Sequence, residues 1–285
     1  MFPEYDSNNP KLLESFVCFA DILGFSEFIK STPENQKAQL LLDLHSHLSQ
    51  CYEQIKEENV SGFANFKTFT DNIVLAYPRH EDGEGQLGNI ISSISKFQLN
   101  MISEGYFVRG GISLGDYYGD DIFAYGPALL EAHDLESIYA NHPRIIISEK
   151  VAYLITQFIR HFYGGSHAPQ SNEVLLDLED NIFFINYLEC LEDGLKDDLS
   201  LPEYLNKVMK HKEKIEEALD KFYNNPKVMS KYSWVGKYHN HFCDIYLPAK
   251  AQIIDIDIEQ YKISSLSSGS FESIVELIDW HAIQE

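Results

Sequence analysis

The sequence has few basic residues and no long hydrophobic run. Its 285 residues include 22 Lys and Arg against 44 Asp and Glu, which gives a formal net charge of −22. A surface this acidic repels phosphate backbones, so we expect no nucleic-acid partner. No apolar run approaches the roughly 20 residues of a membrane span. The N-terminus, MFPEYDSNNPK, lacks the basic and apolar regions of a secretory signal. We therefore expect no membrane partner.

Cysteine is also scarce, and its spacing excludes the usual cysteine motifs. The four residues Cys18, Cys51, Cys190 and Cys243 form no CxxC pair. They are typical of reduced thiols in a cytoplasmic protein, not of a disulfide framework. A hydrophobic content of 44% allows a sizeable core. The length suits one large domain, or one domain with a substantial extension.

The first half of the chain alternates between two hydrophobic periods. Apolar runs of strand length alternate with stripes at helical spacing. The expected strands cover 16–23, 63–70, 72–78 and 106–114, and the expected helices cover 36–57 and 88–103. This order predicts an α+β fold with a ferredoxin-like βαββαβ core.

A loop rich in Gly, Pro and Ser at 164–173 separates the rest of the chain. Before it we expect a helix, a strand and a second helix, at 127–139, 144–148 and 149–160. The sequence thus predicts a core at 1–163 and an extension at 164–285 that packs on the core. Within the extension we expect strands around 180–188 and at 253–258, a charged helix near 202–224 and a last helix after Ser270.

Two aspartates stand out against this background. Asp21 interrupts the apolar strand FVCFADIL, where a buried carboxylate is costly unless it is compensated. Asp71 lies at the tip of the hairpin between the second and third strands. In a split βαβ sheet the first strand lies beside this hairpin, so the two carboxylates can converge and bind Mg²⁺ or Mn²⁺. Alone, Asp21 fits better as a cap of the following turn.

Three further features indicate anion binding, each with a simpler alternative. The amides of Gly24, Phe25 and Ser26 open a helix and could face a phosphate, or form an ordinary strand-to-helix turn. Arg109 precedes a Gly-Gly pair in a strand and could neutralise phosphate oxygens or form a salt bridge. Lys67 lies four residues before Asp71, on the same strand face, and could contact a substrate base or pair with a carboxylate.

Taken in order, these motifs resemble those of class III nucleotide cyclases. The segments are FADILGFSEFI, FKTFTDNIV, VRGGISLGDYYG and IFAYGPALLEAHDLES, within residues 16–150. The resemblance implies two divalent ions held by Asp21 and Asp71 with the carbonyl of Ile22. It implies a triphosphate site that includes Gly24, Phe25, Ser26 and Arg109. Lys67 and Phe123 fall where the family places side chains that read the base.

The sequence departs from this family at informative positions. Leu130 and Asp134 replace an Asn and an Arg that assist the transition state, and Phe123 replaces an acid of adenylate cyclases. GPALLEAHDLES, NIFFINYL and KYSWVGKYHNHFCDIYL are similar to the bacterial pyrimidine cyclases of the Pycsar antiphage system. That likeness implies UTP or CTP as substrate, a homodimer with shared sites, and a separate effector that responds to the cyclic product. A purine cyclase and an inactive nucleotide-binding module are the alternatives.

Two other observations complete the expectations. The aromatic side chains of Phe69 and Phe123 are expected to line the base pocket and to favour a single-ring pyrimidine base over a two-ring purine. His239, His241 and Cys243 have the alternating spacing of one face of a strand or a loop, and they form no complete metal-ligand set.

Overall fold

The computed structural model describes residues 3–58, 65–163 and 168–277. Its strands are Leu13–Ile22 (β1), Asn65–Phe69 (β2), Asn72–Pro78 (β3), Val108–Gly119 (β4), Ala124–Tyr125 (β5), Ile145–Ile147 (β6), Val174–Asp177 (β7), Ile182–Ile185 (β8) and Phe271–Ser273 (β9). Its helices are Phe25–Ser31 (α1), Lys37–Glu58 (α2), Glu84–Ser103 (α3), Pro127–Asp134 (α4), Glu149–His161 (α5), Gln170–Glu173 (α6), Glu189–Asp197 (α7), Leu201–Lys221 (α8) and Pro226–Ala251 (α9). None of the helices in these ranges is long and apolar enough to span a membrane.

The first four long strands form the core that the sequence predicts. Their spatial order is β2-β3-β1-β4, and every neighbouring pair is antiparallel. Helices connect β1 to β2 and β3 to β4, so each crossover skips one strand. This is the split βαβ arrangement of ferredoxin-like folds. The predicted α+β class and its βαββαβ core are confirmed.

Successive side chains of β1 face opposite sides of the sheet, and each side has its own apolar cluster. Phe16, Cys18, Ala20 and Ile22 belong to the main core, which α2 and α3 cover. The residues between them face the other side, where Val17 and Phe19 pack against α4 in a smaller apolar cluster. A strand buried on both faces reads as a continuous apolar run, which is why the polar Asp21 is conspicuous there.

The extension continues the same sheet. Strand β6 pairs with β4 in parallel, and β8, β7 and β9 follow outward with antiparallel pairing. Helices α8 and α9 pack against each other, and their buried side chains join the main core. The expected boundary loop contains α6, and residues 164–167 of that loop lie outside the described residues.

Three expectations for the extension are wrong. Residues 253–258 form no strand; α9 ends at Ala251, and a 3₁₀ turn begins at Ile258. The segment after Ser270 begins with β9 and a 3₁₀ turn instead of a helix, and residues 278–285 lie outside the described residues. The aromatic segment with His239 and Cys243 is helical. Pro226 at the first turn and the side-chain cap from Asn225 start this helix.

Candidate active site

The carboxyl groups of Asp21 and Asp71 meet at the end of β1. The amide of Ile22 donates to the carbonyl of Asp71 at 3.2 Å, which ties the hairpin tip to β1. Thr70 supports the tip with a left-handed backbone (φ 56°), and its hydroxyl lies 2.8 Å from Oδ1 of Asp71. Burial and a hydrogen bond between the two carboxyl groups raise the pKa of Asp21 to about 7. The two carboxyl groups therefore lie within hydrogen-bonding reach of each other.

Arg109 occupies the strand position directly beside Asp21. The two residues are paired in the β1–β4 register, so their side chains share one sheet face. Nη2 of Arg109 lies 3.5 Å from Oδ2 of Asp21 and 2.7 Å from Oε1 of Glu136. The guanidinium group thus lies between the paired aspartates and a third carboxylate.

Glu136 reaches this position because α4 and the following turn approach β4 closely. The chain continues from α4 into a π-helical turn at Leu135–Tyr139. Gly111 permits the approach: a Cβ at this position would lie 2.3 Å from Cβ of Leu135 and 2.7 Å from the carbonyl of Ala132. The side chain of Glu136 is 5% exposed, and burial raises its pKa against the opposing effect of Arg109.

The turn after β1 places the three expected phosphate-binding amides next to this pair. Gly24 has a left-handed backbone (φ 74°), which glycine adopts without strain, and its carbonyl accepts the first hydrogen bond of α1 from Phe28. Phe25 and Ser26 lie in the first helical turn, where amides have no acceptor within the helix. The side chain of Phe25 packs on the main core.

The residues expected to contact the base form a second group. Phe69 shares a row with Asn72 and Asp21 across β2, β3 and β1, two strand spacings or about 10 Å from Asp21. The amide of Phe123 donates to Asp120, whose pKa is lowered chiefly by a hydrogen bond from Tyr118 and in part by Lys67.

The structure therefore brings Lys67 and the turn that carries Phe123 together. In the part of the chain that the structure describes, no hydrogen bond, ion pair or ring contact joins either residue to Asp21, Asp71 or Arg109. The expected site is thus divided into a metal and phosphate half and a base half.

The two substituted positions both lie on α4. Leu130 is 68% exposed, and Asp134 is exposed with its carboxylate 3.6 Å from Nδ1 of His133. The ring of His133 packs against Phe19, two residues before Asp21, with 5.1 Å between ring centroids. This helix face therefore lies close to the aspartate pair.

Two residues of the site were missed by sequence reasoning. Glu136 carries no motif signal; only its place near the end of the expected helix 127–139 is visible in the sequence. Lys231 lies on α9, whose apolar residues form no single helical stripe in the sequence. Its ammonium group interacts electrostatically with Arg109, Glu136 and Asp21.

The donor set at this site fits hard divalent cations. Two carboxyl groups that are close enough to share a proton are mutually repulsive when both are ionised, and a divalent cation between them relieves that repulsion. Within residues 3–58, 65–163 and 168–277, no group of three or more His, Cys, Asp or Glu side chains could hold a metal. Asp21 and Asp71 would therefore share such ions with backbone carbonyls, water or substrate oxygens.

Comparison with known proteins gives matches only to solved structures, since no family model and no curated protein matches the chain. The adenylyl cyclase CyaB from P. aeruginosa has a TM-score of 0.43 at 16% identity, covering 61% of this chain and 94% of that one. A bacterial light-regulated adenylyl cyclase has 0.41 at 15%, covering 67% and 100%. The guanylyl cyclase Cya2 has 0.40 at 12%, covering 50% and 79%. At such TM-scores the likeness carries no argument about individual residues.

Proposed function

We propose that the chain is a nucleotide cyclase that converts UTP, or CTP, to the 3′,5′-cyclic monophosphate and pyrophosphate. One observation carries this proposal: the converging carboxyl groups of Asp21 and Asp71, with Arg109 beside them, at the end of a central strand in a ferredoxin-like sheet. A binding module has no evident use for two converging carboxylates. A reaction that moves negative charge between phosphate oxygens does have a use for them.

The reaction is an intramolecular phosphoryl transfer. The ribose 3′-oxygen bonds to the α-phosphorus, the bond from that phosphorus to the bridging oxygen breaks, and its electron pair leaves with pyrophosphate. Asp21, Asp71 and the carbonyl of Ile22 would hold two Mn²⁺ or Mg²⁺ ions, which supply Lewis-acid activation of the hydroxyl and of the leaving group. Arg109 and the amides of Gly24, Phe25 and Ser26 offset charge on the phosphates. The hydroxyl proton passes to water.

The preference for a pyrimidine rests on the bulk of the base half. Phe69 and Phe123 are 55% and 51% exposed, so both rings are available to line a pocket. Bulky walls exclude a two-ring base by steric clash. Uracil is favoured over cytosine, and Lys67, which acts electrostatically on Asp120 beside Phe123, is the side chain expected to contact the base.

The proposal includes a homodimer with each site built between two subunits. Its support is the separation of the two halves of the site within one chain. A second support is a group of large apolar side chains, all more than half exposed, near α4 and the β4–β5 turn. They are Ile122, Phe123, Tyr125, Leu130, Ile138 and Tyr139. Exposed apolar side chains in such number favour a protein interface.

The resemblance in sequence extends the proposal to a biological role. The enzyme would work in the cytoplasm and make a messenger that activates a separate effector in antiphage defence. The core at 1–163 would carry the chemistry, and the extension at 164–285 would pack on it.

A second candidate is a nucleotide-binding module that no longer turns over. Leu130 and Asp134 favour it, because neither side chain can donate a charged hydrogen bond to a transition state. An adenylate or guanylate cyclase is the third candidate, and the bulky side chains of the base half argue against it.

The test is incubation of the purified protein with each of the four nucleoside triphosphates and Mn²⁺, followed by mass spectrometry of the products. We expect a cyclic pyrimidine nucleotide and pyrophosphate in equal amounts. Cyclic AMP or cyclic GMP as the main product would refute the pyrimidine assignment. Binding of nucleotide without release of pyrophosphate would establish the inactive module.

A further inference from the structure

Helix α9 of the extension reaches the candidate active site. The ring of Tyr232 packs edge-on against Phe107 with 4.8 Å between centroids, and Phe107 lies two residues before Arg109. Tyr232 also stacks on Phe222 at 5.2 Å, which fixes this part of α9 against the end of α8. The neighbouring Lys231 is therefore held near the start of β4, where it interacts with Arg109, Glu136 and Asp21.

Lys231 is a cation without a close counter-charge. Among the residues that the structure describes, it forms no ion pair within 4.0 Å. Burial and the nearby charges of Arg109 and Lys227 lower its pKa, which indicates an ammonium group in an unfavourable position. A half-buried lysine beside an arginine is stabilised when an anion binds between or against them.

The carboxylates of the site act on Lys231 only from beyond ion-pair distance: Glu136 and Asp21 favour its charged form, but neither pairs with it within 4.0 Å. Glu136 is closest to Arg109, at 2.7 Å, and Asp21 is hydrogen-bonded to Asp71. Three carboxylates around one site also repel a polyphosphate, and the single charge of Arg109 offsets this repulsion only weakly. A second cation that is not already paired is what the binding of such an anion requires.

We propose that Lys231 is a substrate-binding residue that contacts the polyphosphate of a nucleoside triphosphate together with Arg109, so that the extension completes the active site. The identity of the substrate rests on the function proposed above, whereas the binding of a polyphosphate does not. Glu136 acts as the positioning residue, because its buried carboxylate pairs with the guanidinium of Arg109 at 2.7 Å.

The experiment measures binding in the presence of Mn²⁺, by calorimetry, with two probes: inorganic tripolyphosphate and α,β-methylene-UTP. Lys231→Gln should weaken both by at least about tenfold, the equivalent of one charge-assisted hydrogen bond. Lys231→Arg, which keeps the charge, should restore most of the affinity. Lys227→Gln is the matched control: it removes the same charge one turn earlier, at an exposed position.

Each outcome decides the assignment. Equal affinity of the Lys231→Gln variant and the wild type would overturn it, as would an equal loss in the Lys227→Gln variant or a wild type that binds neither probe. Thermal unfolding of each variant checks that the loss of affinity does not come from a loss of folded protein. A wild type that binds both probes through Lys231 but forms no cyclic product would refute the proposed reaction and leave the Lys231 assignment unchanged.

Discussion

Two arginines occupy neighbouring places in the sheet and differ in what surrounds them. Arg109 on β4 and Arg144 before β6 precede the paired residues Gly110 and Ile145. Arg144 is fully buried: it bonds Asp177 at 2.5 Å, pairs with Asp180, and lies over the ring of Trp234 at 5.1 Å. Its carboxylate partner Asp177 also accepts a hydrogen bond from the indole of Trp234.

The guanidinium group of Arg109 is paired less completely than that of Arg144. The side chain of Arg109 is 23% exposed, only Nη2 lies close to carboxylates, and one of those carboxylates, Asp21, is hydrogen-bonded to Asp71. The comparison separates a saturated arginine, meaning one whose two terminal nitrogens both pair with carboxylates, which stabilises the fold, from an unsaturated one, paired through Nη2 alone, which leaves charge for a ligand. The predictions below test that distinction.

The largest expected effect is on catalysis at the aspartate pair. Asp71→Ala should lower the cyclisation rate by at least about three orders of magnitude, because the metal ions supply several kcal/mol of transition-state stabilisation. The melting temperature should stay the same or rise, since one of two repelling carboxylates is removed. Rates at saturating Mn²⁺ and thermal scans on one preparation measure both. Asp116→Ala, at an exposed position of β4, is the control. Full activity of the Asp71→Ala variant would refute the metal role.

The next effect is on stability at the saturated arginine. Arg144→Met should cost about 3–5 kcal/mol of unfolding free energy, because it leaves Asp177 buried and uncompensated. Urea denaturation measures this. Lys237→Met breaks an exposed pair with Glu179 in the same region and should cost less than about 1 kcal/mol. Similar losses in the two variants would contradict the account of Arg144 as a saturated centre.

Arg109 should show the reverse pattern. Arg109→Ala should weaken triphosphate use by about a hundredfold, the value of one or two charge-assisted hydrogen bonds, and cost only about 1–2 kcal/mol in stability. The stability loss is small because burial already raises the pKa of Glu136, which can take up a proton when its partner is lost. The double variant Arg109→Ala/Glu136→Gln should regain stability without regaining activity. A large drop in melting temperature with full activity would instead mark a purely structural ion pair.

The contrast between the two arginines also shows what the sequence could predict. The βαββαβ core was predictable because its strands and helices have different hydrophobic periods, and Asp21 was visible because it interrupts a buried strand. The relation of Asp71 to Asp21 followed from the topology alone. Lys231 could not be found in this way, since its proximity to Arg109 depends on how α9 packs, and α9 carries aromatic residues on several faces.

The same limit explains the incorrect elements of the extension. The alternating segment 253–258 has the pattern of a strand, yet among the residues that the structure describes it pairs with no strand, and β9 takes the edge position beside β7. Alternation alone does not make a strand, because a strand also needs a partner to pair with. Strand β7 was missed because it consists of four residues directly after α6.

A further prediction concerns pH and a buried chain of hydrogen bonds in the extension. Tyr187 donates to Nε2 of His211 at 2.8 Å, the two Nδ1 atoms of His211 and His239 are 2.9 Å apart, and Nε2 of His239 donates to the carbonyl of Tyr261 at 2.7 Å. Two neutral imidazoles satisfy this chain, with Nδ1 of His211 donating to Nδ1 of His239. Burial lowers the pKa of His239 to about 4 and that of His211 well below its usual value.

These lowered pKa values make stability fall in acid. The unfolded histidines bind protons near pH 6.5 and the folded ones do not, so stability is present above that pH and is lost as the pH falls. The two groups should contribute a loss of about 2–3 kcal/mol between pH 7 and pH 5.5. Urea denaturation at several pH values should show a smaller slope in a His239→Gln variant, and an unchanged slope in a variant of the exposed His45, His45→Gln. Equal slopes in all three proteins would contradict the neutral pair.

The smallest expected effect is on the choice of base. Phe123 lies on the turn between β4 and β5, with its ring 5.7 Å from that of Tyr118 and about half of its surface exposed. Truncating an exposed ring changes stability by about 0.5 kcal/mol or less, so Phe123→Ala tests recognition and not folding. If bulk excludes purines, this variant should shift the ratio of purine to pyrimidine turnover by about tenfold, the scale of a steric change in an apolar pocket. The pyrimidine rate should fall at the same time, because the remaining base loses a packing surface. Tyr125→Ala, in β5 two residues later and similarly exposed, is the control for a general disturbance of this region. An unchanged ratio would remove Phe123 from the base pocket and leave Phe69 as the wall, while the aspartate pair and Arg109 would keep their roles.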